Sequence, residues 1–403
     1  METQLLIGSE VLAMALVSPF YKIRCPYCRK ESHPCDMPIT SLTQETMLLY
    51  RPPRRGTPRY LYSRFWAAEL EGKKYTTVLA RRVCPLCNKL LPEREVDETL
   101  NIAIVGDTSA GKTHYIAVLI DQLKRGVIMQ AGNGSTRLIS LNPGTDRKYH
   151  DVYYTPILQE KNARPGGTLP GKFGPSGEPL QSDPLVYQLT ISEGKTGSAR
   201  AFNLLFYDIS GEEIADPTLI VQFGEHILRA DAIIYLADPV TMERVRRHLP
   251  RHLQPDPASI SARSAHEVLA NIMYRYEQYQ RIRPGENISI PTAITLSKSD
   301  LLRYTIPVSD QRNYLIFQKI VYDGKAHPKD FARMHEEVEA CLRAYDEQTI
   351  LKISGRFSSV NFFAASATGG PPDSNGKYIR IEPLHCLDPF LWILWKLGCI
   401  EAA

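Results

Sequence analysis

The segment LNIAIVGDTSAGKT at residues 100–113 decides the fold of this chain. Its first part, LNIAIV, is a short apolar run of the kind that forms a buried strand. The next eight residues, GDTSAGKT at 106–113, match the pattern GxxxxGK[ST] at every fixed position. HYIAVLIDQL, which follows, has the apolar spacing of a helix. A glycine-rich turn between a strand and a helix is the context in which this pattern predicts a phosphate-binding loop.

The residue types in this loop suit a bound diphosphate. The glycines allow backbone N–H groups to curl around a phosphate without Cβ clashes, and the helix that follows presents a positive N-terminus. Lys112 would place its charge at the β- and γ-phosphate oxygens, and Thr113 would offer its hydroxyl to Mg²⁺. We therefore expect nucleotide contacts along the whole loop, from Gly106, Asp107, Thr108, Ser109, Ala110, Gly111, Lys112 and Thr113.

A second group of candidate catalytic residues follows the predicted strand AFNLLFYD at 201–208. Asp208 ends that strand, where a P-loop protein holds Mg²⁺ with a second acidic group. Gly211 is placed to lend its backbone N–H to the γ-phosphate. Glu212 stands where many Ras-like enzymes carry a glutamine that positions the attacking water, and an ordinary surface acid is the alternative interpretation.

Two later loops predict which base is bound, because SKSD and SAT each follow a predicted strand. A carboxylate accepts hydrogen bonds from guanine N1–H and from its exocyclic amine, whereas adenine lacks this pair of donors. Asp300 therefore favours guanine, and the stem of Lys298 can lie over the purine ring. Ser297 departs from the Asn or Thr that usually precedes this lysine. Ser366 and Ala367 are expected to back the guanine carbonyl.

The order of the predicted elements indicates an α/β fold. Further strands are expected at 186–191, 232–238, 292–297 and 360–366, and helices at 264–281, 330–352 and 388–398. The Gly- and Pro-rich stretch at 142–184 is expected to be a long, partly flexible connection. Strands that alternate with helices predict a mostly parallel sheet covered on both faces, here a P-loop NTPase domain at 98–403. Such sheets bind ligands at the carboxyl ends of their strands, where each motif lies.

The motifs GDTSAGKT, DISGEE, ADAIIYLADP, LSKSD, SAT and LDPFLWIL occur in this order along the chain. In this order they resemble the bacterial double-GTPase families, most closely the one whose Ras-like GTPase domain is accompanied by a zinc ribbon. The resemblance covers residues 98–400, with the N-terminal cysteines as a second matching feature. It implies a Ras-like fold, binding of GTP and Mg²⁺, a switch threonine at Thr168, and a role in bacterial conflict or antiviral signalling. Thr145 and Thr155 are rivals for the switch position.

The N-terminal region at 1–97 contains two CPxC turns, at 25–28 and 84–87. Because no signal peptide is recognised, we expect a reducing compartment, in which metal binding is favoured over disulfides. His33 and Cys35 are rival ligands, and redox CxxC pairs or buried thiols are the alternatives. Four thiolates leave no open coordination position, so that a structural zinc ribbon with an insertion is predicted. Its expected Zn²⁺ ligands are Cys25, Cys28, Cys84 and Cys87.

Composition and charge give little reason to expect nucleic acid or a membrane as the main partner of this chain. The 403 residues carry a net charge of +4, which is too small to indicate a nucleic-acid-binding protein as a whole. Basic runs occur at 51–64 and 244–252. A solvated face explains them most simply, with nucleic-acid contact or an arginine that reaches the γ-phosphate as alternatives. Since no apolar stretch reaches the roughly 18 residues of a membrane span, we expect a cytoplasmic protein.

Together these patterns predict a slow or partner-activated GTPase, a Mg²⁺-dependent switch whose state a protein partner reads. Water would attack the γ-phosphate in line, while Lys112 and the loop amides stabilise the developing charge. An ATPase of the same fold is one rival. A second rival is a non-catalytic nucleotide-binding scaffold whose zinc module recruits protein or nucleic acid, and Glu212 in place of glutamine leaves this rival open.

Overall fold

The computed structural model describes most of the C-terminal three quarters of the chain and parts of the remainder. The chain forms two compact units, Met1–Thr99 and Leu100–Ala403. The described residues are 23–25, 28, 30–32, 37, 39–42, 47–50, 80–88, 91, 98–106, 109–129, 131, 134–163, 172–173, 179–180, 184–192, 199–208, 225–228, 230–255, 265–283 and 286–403.

The N-terminal unit contains short antiparallel strands. Strand β1 (Ile23–Arg24) pairs with β2 (Glu31–Ser32), and β3 (Ile39–Leu42) pairs with both β4 (Met47–Tyr50) and β5 (Ala80–Arg82). A small buried cluster joins Met37 and Leu91 to the cysteines of both CPxC turns. In the part of this unit that the structure describes, the buried cluster is small, and small modules usually depend on a metal or on disulfides.

The larger unit is built on a seven-stranded sheet with the order β14-β13-β12-β6-β11-β10-β7. A separate two-stranded ribbon pairs β8 with β9. The strands are β6 (Glu98–Gly106), β7 (Ser135–Ser140), β8 (Lys172–Phe173), β9 (Pro179–Leu180), β10 (Leu185–Ser192), β11 (Ala199–Asp208), β12 (Ala232–Ala237), β13 (Thr292–Leu296) and β14 (Val360–Ala364).

Hydrophobic runs explain why one side of this sheet is parallel. Strands β6, β12, β13 and β14 are parallel neighbours, and every residue of β12 and β13 is buried. Strands buried on both faces need continuous apolar sequence, which AIIYLA and TAITL supply. Strand β10 is antiparallel to β11 and to β7. The prediction of an α/β fold with a mostly parallel sheet is confirmed.

The helices of this unit connect and cover the strands. They are α1 (Lys112–Lys124), α2 (Pro143–Lys148), α3 (Glu225–Leu228), α4 (Glu243–His248), α5 (Ala265–Gln280), α6 (Val308–Gln311), α7 (Pro328–Ala344), α8 (Gln348–Ser354) and α9 (Asp388–Lys396). Short 3₁₀ turns lie at Val127–Met129, Pro239–Thr241, Arg251–Leu253, Ser299–Tyr304 and Leu315–Phe317.

The single helix predicted at 330–352 is two helices. Helix α7 ends at Ala344, and Asp346 adopts a left-handed backbone conformation with φ of 66° before α8 begins. A residue in that conformation cannot continue a right-handed helix. Cys341, on α7, is buried, as are Cys386 and Cys399.

The prediction of a long flexible connection at 142–184 is wrong for its first part. Asn142 caps α2 by accepting a hydrogen bond from the Thr145 N–H at 2.7 Å, and Pro143 occupies the first turn, where proline is tolerated. A π-helix at Tyr149–Gln159 continues from α2. Pro143 and Gly144 therefore mark a capped helix start, and not a loop.

None of the helices in the described ranges combines the length and the apolar content that a bilayer crossing requires.

The loop before α9 holds a buried ion pair. His385 Nδ1 lies 2.8 Å from Asp388 Oδ2, and the two side chains are 1% and 5% exposed. His385 Nε2 lies 2.9 Å from the Leu315 carbonyl oxygen, and Tyr322 donates to the other Asp388 oxygen. Burial by itself lowers the pKa of His385, but Asp388 and the Leu315 carbonyl outweigh it, so that the pKa is raised.

This ion pair predicts a stability that falls as pH rises. A histidine with a raised folded-state pKa contributes fully below its unfolded value of about 6.5, and the contribution is lost as pH rises through the folded value. We expect the urea midpoint, followed by Trp392 and Trp395 fluorescence, to fall as pH rises from the unfolded value of about 6.5 through the raised pKa of His385. His385→Gln should cost about 3 kcal/mol at the lower pH and flatten this dependence. An unchanged pH dependence in that variant, relative to a control at the exposed His150, would contradict the assignment.

Candidate functional site

The predicted motif residues meet at one edge of the sheet. Strands β6, β12, β13 and β14 run parallel and side by side, so their carboxyl ends lie together. The phosphate-loop motif follows β6, Asp238 follows β12, SKSD follows β13, and SAT follows β14. This is the edge at which open parallel sheets bind ligands.

The loop after β6 has the close approach and the left-handed backbone conformation that glycines permit. Gly106 pairs with Leu236 of β12, and a Cβ at Gly106 would collide with the Leu236 carbonyl. Ser109 and Gly111 adopt left-handed conformations with φ of 71° and 80°. Helix α1 then begins at Lys112. Asp107 and Thr108 lie outside the described residues.

Lys112 and the start of α1 form a positive corner. The Lys112 side chain is 7% exposed, and its ammonium donates to the Gly106 carbonyl at 2.9 Å. The first turn of α1 contains no acidic residue to offset the positive helix end. A buried ammonium beside helix N–H groups fits an anion such as a phosphate. Thr113 lies next to Lys112 in the same turn.

The loops after β13 and β14 are joined through Asp300. Ser366 donates its hydroxyl hydrogen to Asp300 Oδ1 at 2.6 Å, and its oxygen accepts the Gly369 N–H at 2.8 Å. The backbone N–H of Ser299 donates to the Ala365 carbonyl at 3.2 Å. Burial raises the pKa of Asp300, although the Ser366 hydroxyl and the charges of Lys298 and Arg303 act the other way.

The lysine of SKSD forms an ion pair with the residue that follows the neighbouring strand β12. Lys298 adopts a left-handed conformation with φ of 49°, and its ammonium lies 2.6 Å from Asp238 Oδ2. Asp238 is buried and also caps the 3₁₀ turn after β12 by accepting the Val240 N–H at 3.0 Å. Ser297 directs both its N–H and its hydroxyl at the Ala237 carbonyl. The side chain of Lys298 is thus fixed along the sheet edge.

Several predicted residues are not placed by the structure. Asp208 ends β11, but its side chain is outside the described residues, as are Gly211, Glu212 and Thr168. Thr145, a rival switch threonine, is buried, and its hydroxyl accepts the Val186 N–H of β10 at 3.0 Å. It therefore holds α2 to the sheet and does not face the loop edge. Ala367 follows Ser366 in the loop after β14.

Sequence reasoning missed three residues at this edge: Asp238, His114 and Tyr378. Asp238 directly follows the strand AIIYLA, so its position at a strand end was a usable signal. His114 lies in the first turn of α1, and the hydrophobic spacing of that helix does not mark it as a site residue. Tyr378 lies in a Gly- and Pro-rich stretch without hydrophobic periodicity, and only the tertiary fold brings it to the sheet edge.

The four predicted cysteines meet in the N-terminal unit. The sulfur atoms of Cys25, Cys28, Cys84 and Cys87 all lie within 4.8 Å of one another. Cys25 Sγ lies 3.7 Å from Cys87 Sγ, and Cys28 Sγ lies 3.6 Å from Cys84 Sγ. A tetrahedron with the usual zinc–sulfur distance has edges of about 3.8 Å, so the spacing fits a Zn²⁺ ion.

The surroundings favour the thiolate form that a metal needs. Burial by itself raises the pKa of Cys84, but hydrogen bonds from the Leu86 and Cys87 N–H groups and from nearby thiols outweigh it, so that the pKa is lowered. The Leu86 N–H lies 3.5 Å from Cys84 Sγ. His33 and Cys35, the rival ligands, lie outside the described residues. The prediction of a cysteine cluster that could bind zinc is confirmed, and four sulfurs indicate a structural centre.

These features define an α/β protein with a mostly parallel seven-stranded sheet and a four-cysteine cluster near its N-terminus. No protein-family model matches the chain. The chain is similar to the "Putative ESX-1 scaffolding and assembly protein SaeC" of Mycolicibacterium smegmatis. The two sequences are 29% identical over 346 residues, which cover 80% of this chain and 81% of that protein.

This comparison corrects the predicted function. A GTP-hydrolysing switch was expected, and that prediction is wrong, because the relative matched over most of both chains is named for scaffolding and assembly. The physical reason for the error is that a phosphate loop predicts what is bound, whereas the fold does not determine the biological role. The resemblance to the double-GTPase families and the binding of nucleotide stay predictions.

Proposed function

We propose that this chain is an assembly scaffold that holds protein partners together. In this proposal it binds a purine nucleotide with Mg²⁺ at the carboxyl edge of its sheet, and Zn²⁺ at its four N-terminal cysteines. The observation that carries the scaffold role is the similarity, along 80% of the chain, to a protein named for scaffolding and assembly. In this proposal the scaffold role requires that the nucleotide is bound, and it does not require that the nucleotide is hydrolysed.

The nucleotide part of the proposal is supported by the corner around Lys112. Its ammonium lies against the Gly106 carbonyl, beside a helix start that carries no acidic side chain. Lys112 and the loop amides would hold the phosphates, and Thr113 with the predicted ligands Asp208 and Thr168 would hold Mg²⁺. The ion supplies positive charge that offsets the phosphate oxygens.

The base part of the proposal is supported by Asp300. Its carboxylate is buried and anchored on one oxygen by Ser366, which fixes its direction. An oriented carboxylate at a strand end can select the two adjacent N–H donors of guanine. We therefore propose guanine as the base.

Asp300→Asn is expected to shift base preference from guanine to xanthine. An asparagine amide offers a donor where xanthine has a carbonyl oxygen, and a well-placed pair of hydrogen bonds discriminates by about 1–3 kcal/mol. Calorimetric titration with GDP, XDP and ADP should show weaker GDP binding and stronger XDP binding than in the wild type. Asp310→Asn, on the exposed helix α6, is the matched control. Preferential binding of ADP by the wild type would exclude guanine.

The scaffold role is tested in the organism that encodes this chain. Proteins cross-linked to the tagged chain are identified first, and their association with one another is then measured by sedimentation in wild-type and deletion strains. We expect the partners to sediment together only when the chain is present. Partners that stay associated without it would overturn the scaffold role. A strain with Cys84→Ser reports whether the zinc module takes part.

A further inference from the structure

Two aromatic residues bridge the phosphate side and the base side of the sheet edge. His114 lies in the first turn of α1, two residues after Lys112. Tyr378 lies in the loop that follows SAT. The two rings meet edge to face, with 5.7 Å between centroids and an angle of 81°. Neither residue belongs to a motif that the sequence predicts to bind nucleotide.

The phenol of Tyr378 faces the base-selecting loops. Burial and the negative charge of Asp300 raise the pKa of Tyr378 to about 12, and a hydrogen bond with the Thr368 hydroxyl acts the other way. Asp300 and Thr368 belong to the loops after β13 and β14. One end of Tyr378 therefore reaches the residues proposed to hold guanine, and its ring reaches α1.

The imidazole of His114 is hydrogen-bonded to Asn162 and feels the charge of Lys298, the lysine of SKSD. Burial lowers the pKa of His114, and the positive charge of Lys298 lowers it further, against the effect of the Asn162 carbonyl. His114 Nε2 lies 3.2 Å from that carbonyl oxygen. Because a carbonyl can only accept, Nε2 carries the proton and the ring is fixed in one tautomer.

The backbone around Tyr378 is held rigidly. Its N–H donates to the Lys161 carbonyl at 2.9 Å, and the Ala163 N–H donates to the Gly376 carbonyl at 2.9 Å. Asp373 Oδ1 accepts the N–H groups of both Asn375 and Lys377 at 2.9 Å. A short antiparallel bridge between Asn162 and Lys377 completes the contact. The ring of Tyr378 is thus positioned before any ligand arrives.

We propose that Tyr378 and His114 form an aromatic wall of the base pocket, across from the side chain of Lys298. This inference rests on the proposed nucleotide site and deepens it. The wall would make the site specific for a purine nucleoside diphosphate or triphosphate over a bare polyphosphate. Stacking on an aromatic ring adds affinity for any base, whereas Asp300 distinguishes one purine from another.

The test compares GDP with inorganic tripolyphosphate as ligands of the purified full-length chain. Stacking on an aromatic ring contributes about 1–3 kcal/mol per base, so Tyr378→Ala should weaken GDP binding by about 10-fold or more. Tyr378→Phe keeps the ring and should stay within about 3-fold of the wild type. Tripolyphosphate, which lacks a base, should bind both variants as it binds the wild type. His114→Ala should also lose GDP affinity selectively.

The outcomes separate this inference from the proposed function. If the wild type binds neither ligand, the nucleotide site itself is wrong. If the wild type binds GDP and Tyr378→Ala and His114→Ala bind it equally well, the wall alone is overturned. Equal losses for GDP and tripolyphosphate in both variants would also overturn it, because the residues would then act only on the fold. Thermal melting of each variant confirms that the chains compared are folded.

Discussion

Replacing Lys112 with methionine is expected to weaken GDP binding by about 100-fold or more. Lys112 is 7% exposed, and its ammonium donates to the Gly106 carbonyl, where the phosphate loop turns into α1. Methionine fills the same space without a charge, so that the phosphates lose a charge-assisted hydrogen bond and a nearby positive charge. Calorimetric titration with GDP and Mg²⁺ measures the change.

The control for this variant is Lys329→Met on the exposed start of α7. It changes the net charge by the same amount and should leave GDP affinity as it is in the wild type. A melting curve of Lys112→Met distinguishes loss of the ligand contact from loss of the fold. Wild-type affinity in a folded Lys112→Met chain would end the nucleotide proposal and leave the scaffold role untouched.

Cys84→Ser is expected to remove bound zinc and unfold the N-terminal unit. Structural zinc contributes about 10–16 kcal/mol of apparent binding free energy in small modules, and among the described residues of this unit Met37 and Leu91 form one buried cluster with its cysteines. Zinc content measured by mass spectrometry should fall from one ion per chain to near none. Limited proteolysis should cut the region before Thr99 and spare the unit that begins at Leu100.

Cys35→Ser is the informative control, because Cys35 is the rival ligand within the sequence of the same module. It should retain one zinc ion and resist proteolysis like the wild type. Loss of zinc from Cys35→Ser, together with retention in Cys84→Ser, would contradict the proposed ligand set. A metal-free wild-type chain that keeps its protease resistance would show that the cysteine cluster folds without zinc.

The parallel half of the sheet was predictable from local sequence, since short apolar runs such as AIIYLA and TAITL are typical of strands buried on both faces. The antiparallel edge strand β7 was not predicted, because four of the six residues of STRLIS are polar and one of the six is buried. Helix α2 was also missed. Its Pro143 and Gly144 have the composition of a loop, and the Asn142 cap is recognised only once the helix that it starts is known.

The sequence by itself determined the local chemistry of this protein: the phosphate loop before α1, the carboxylate of Asp300 at a strand end, and two pairs of thiols. Each of these features is formed by residues that are close together in the sequence, and a sequence motif consists of such residues. Only the tertiary structure decided that Asp238 holds Lys298, that Ser366 orients Asp300, and that Tyr378 meets His114. These pairs are 60, 66 and more than 200 residues apart in sequence. Their contacts follow from the packing of parallel strands, which places distant loops at one edge.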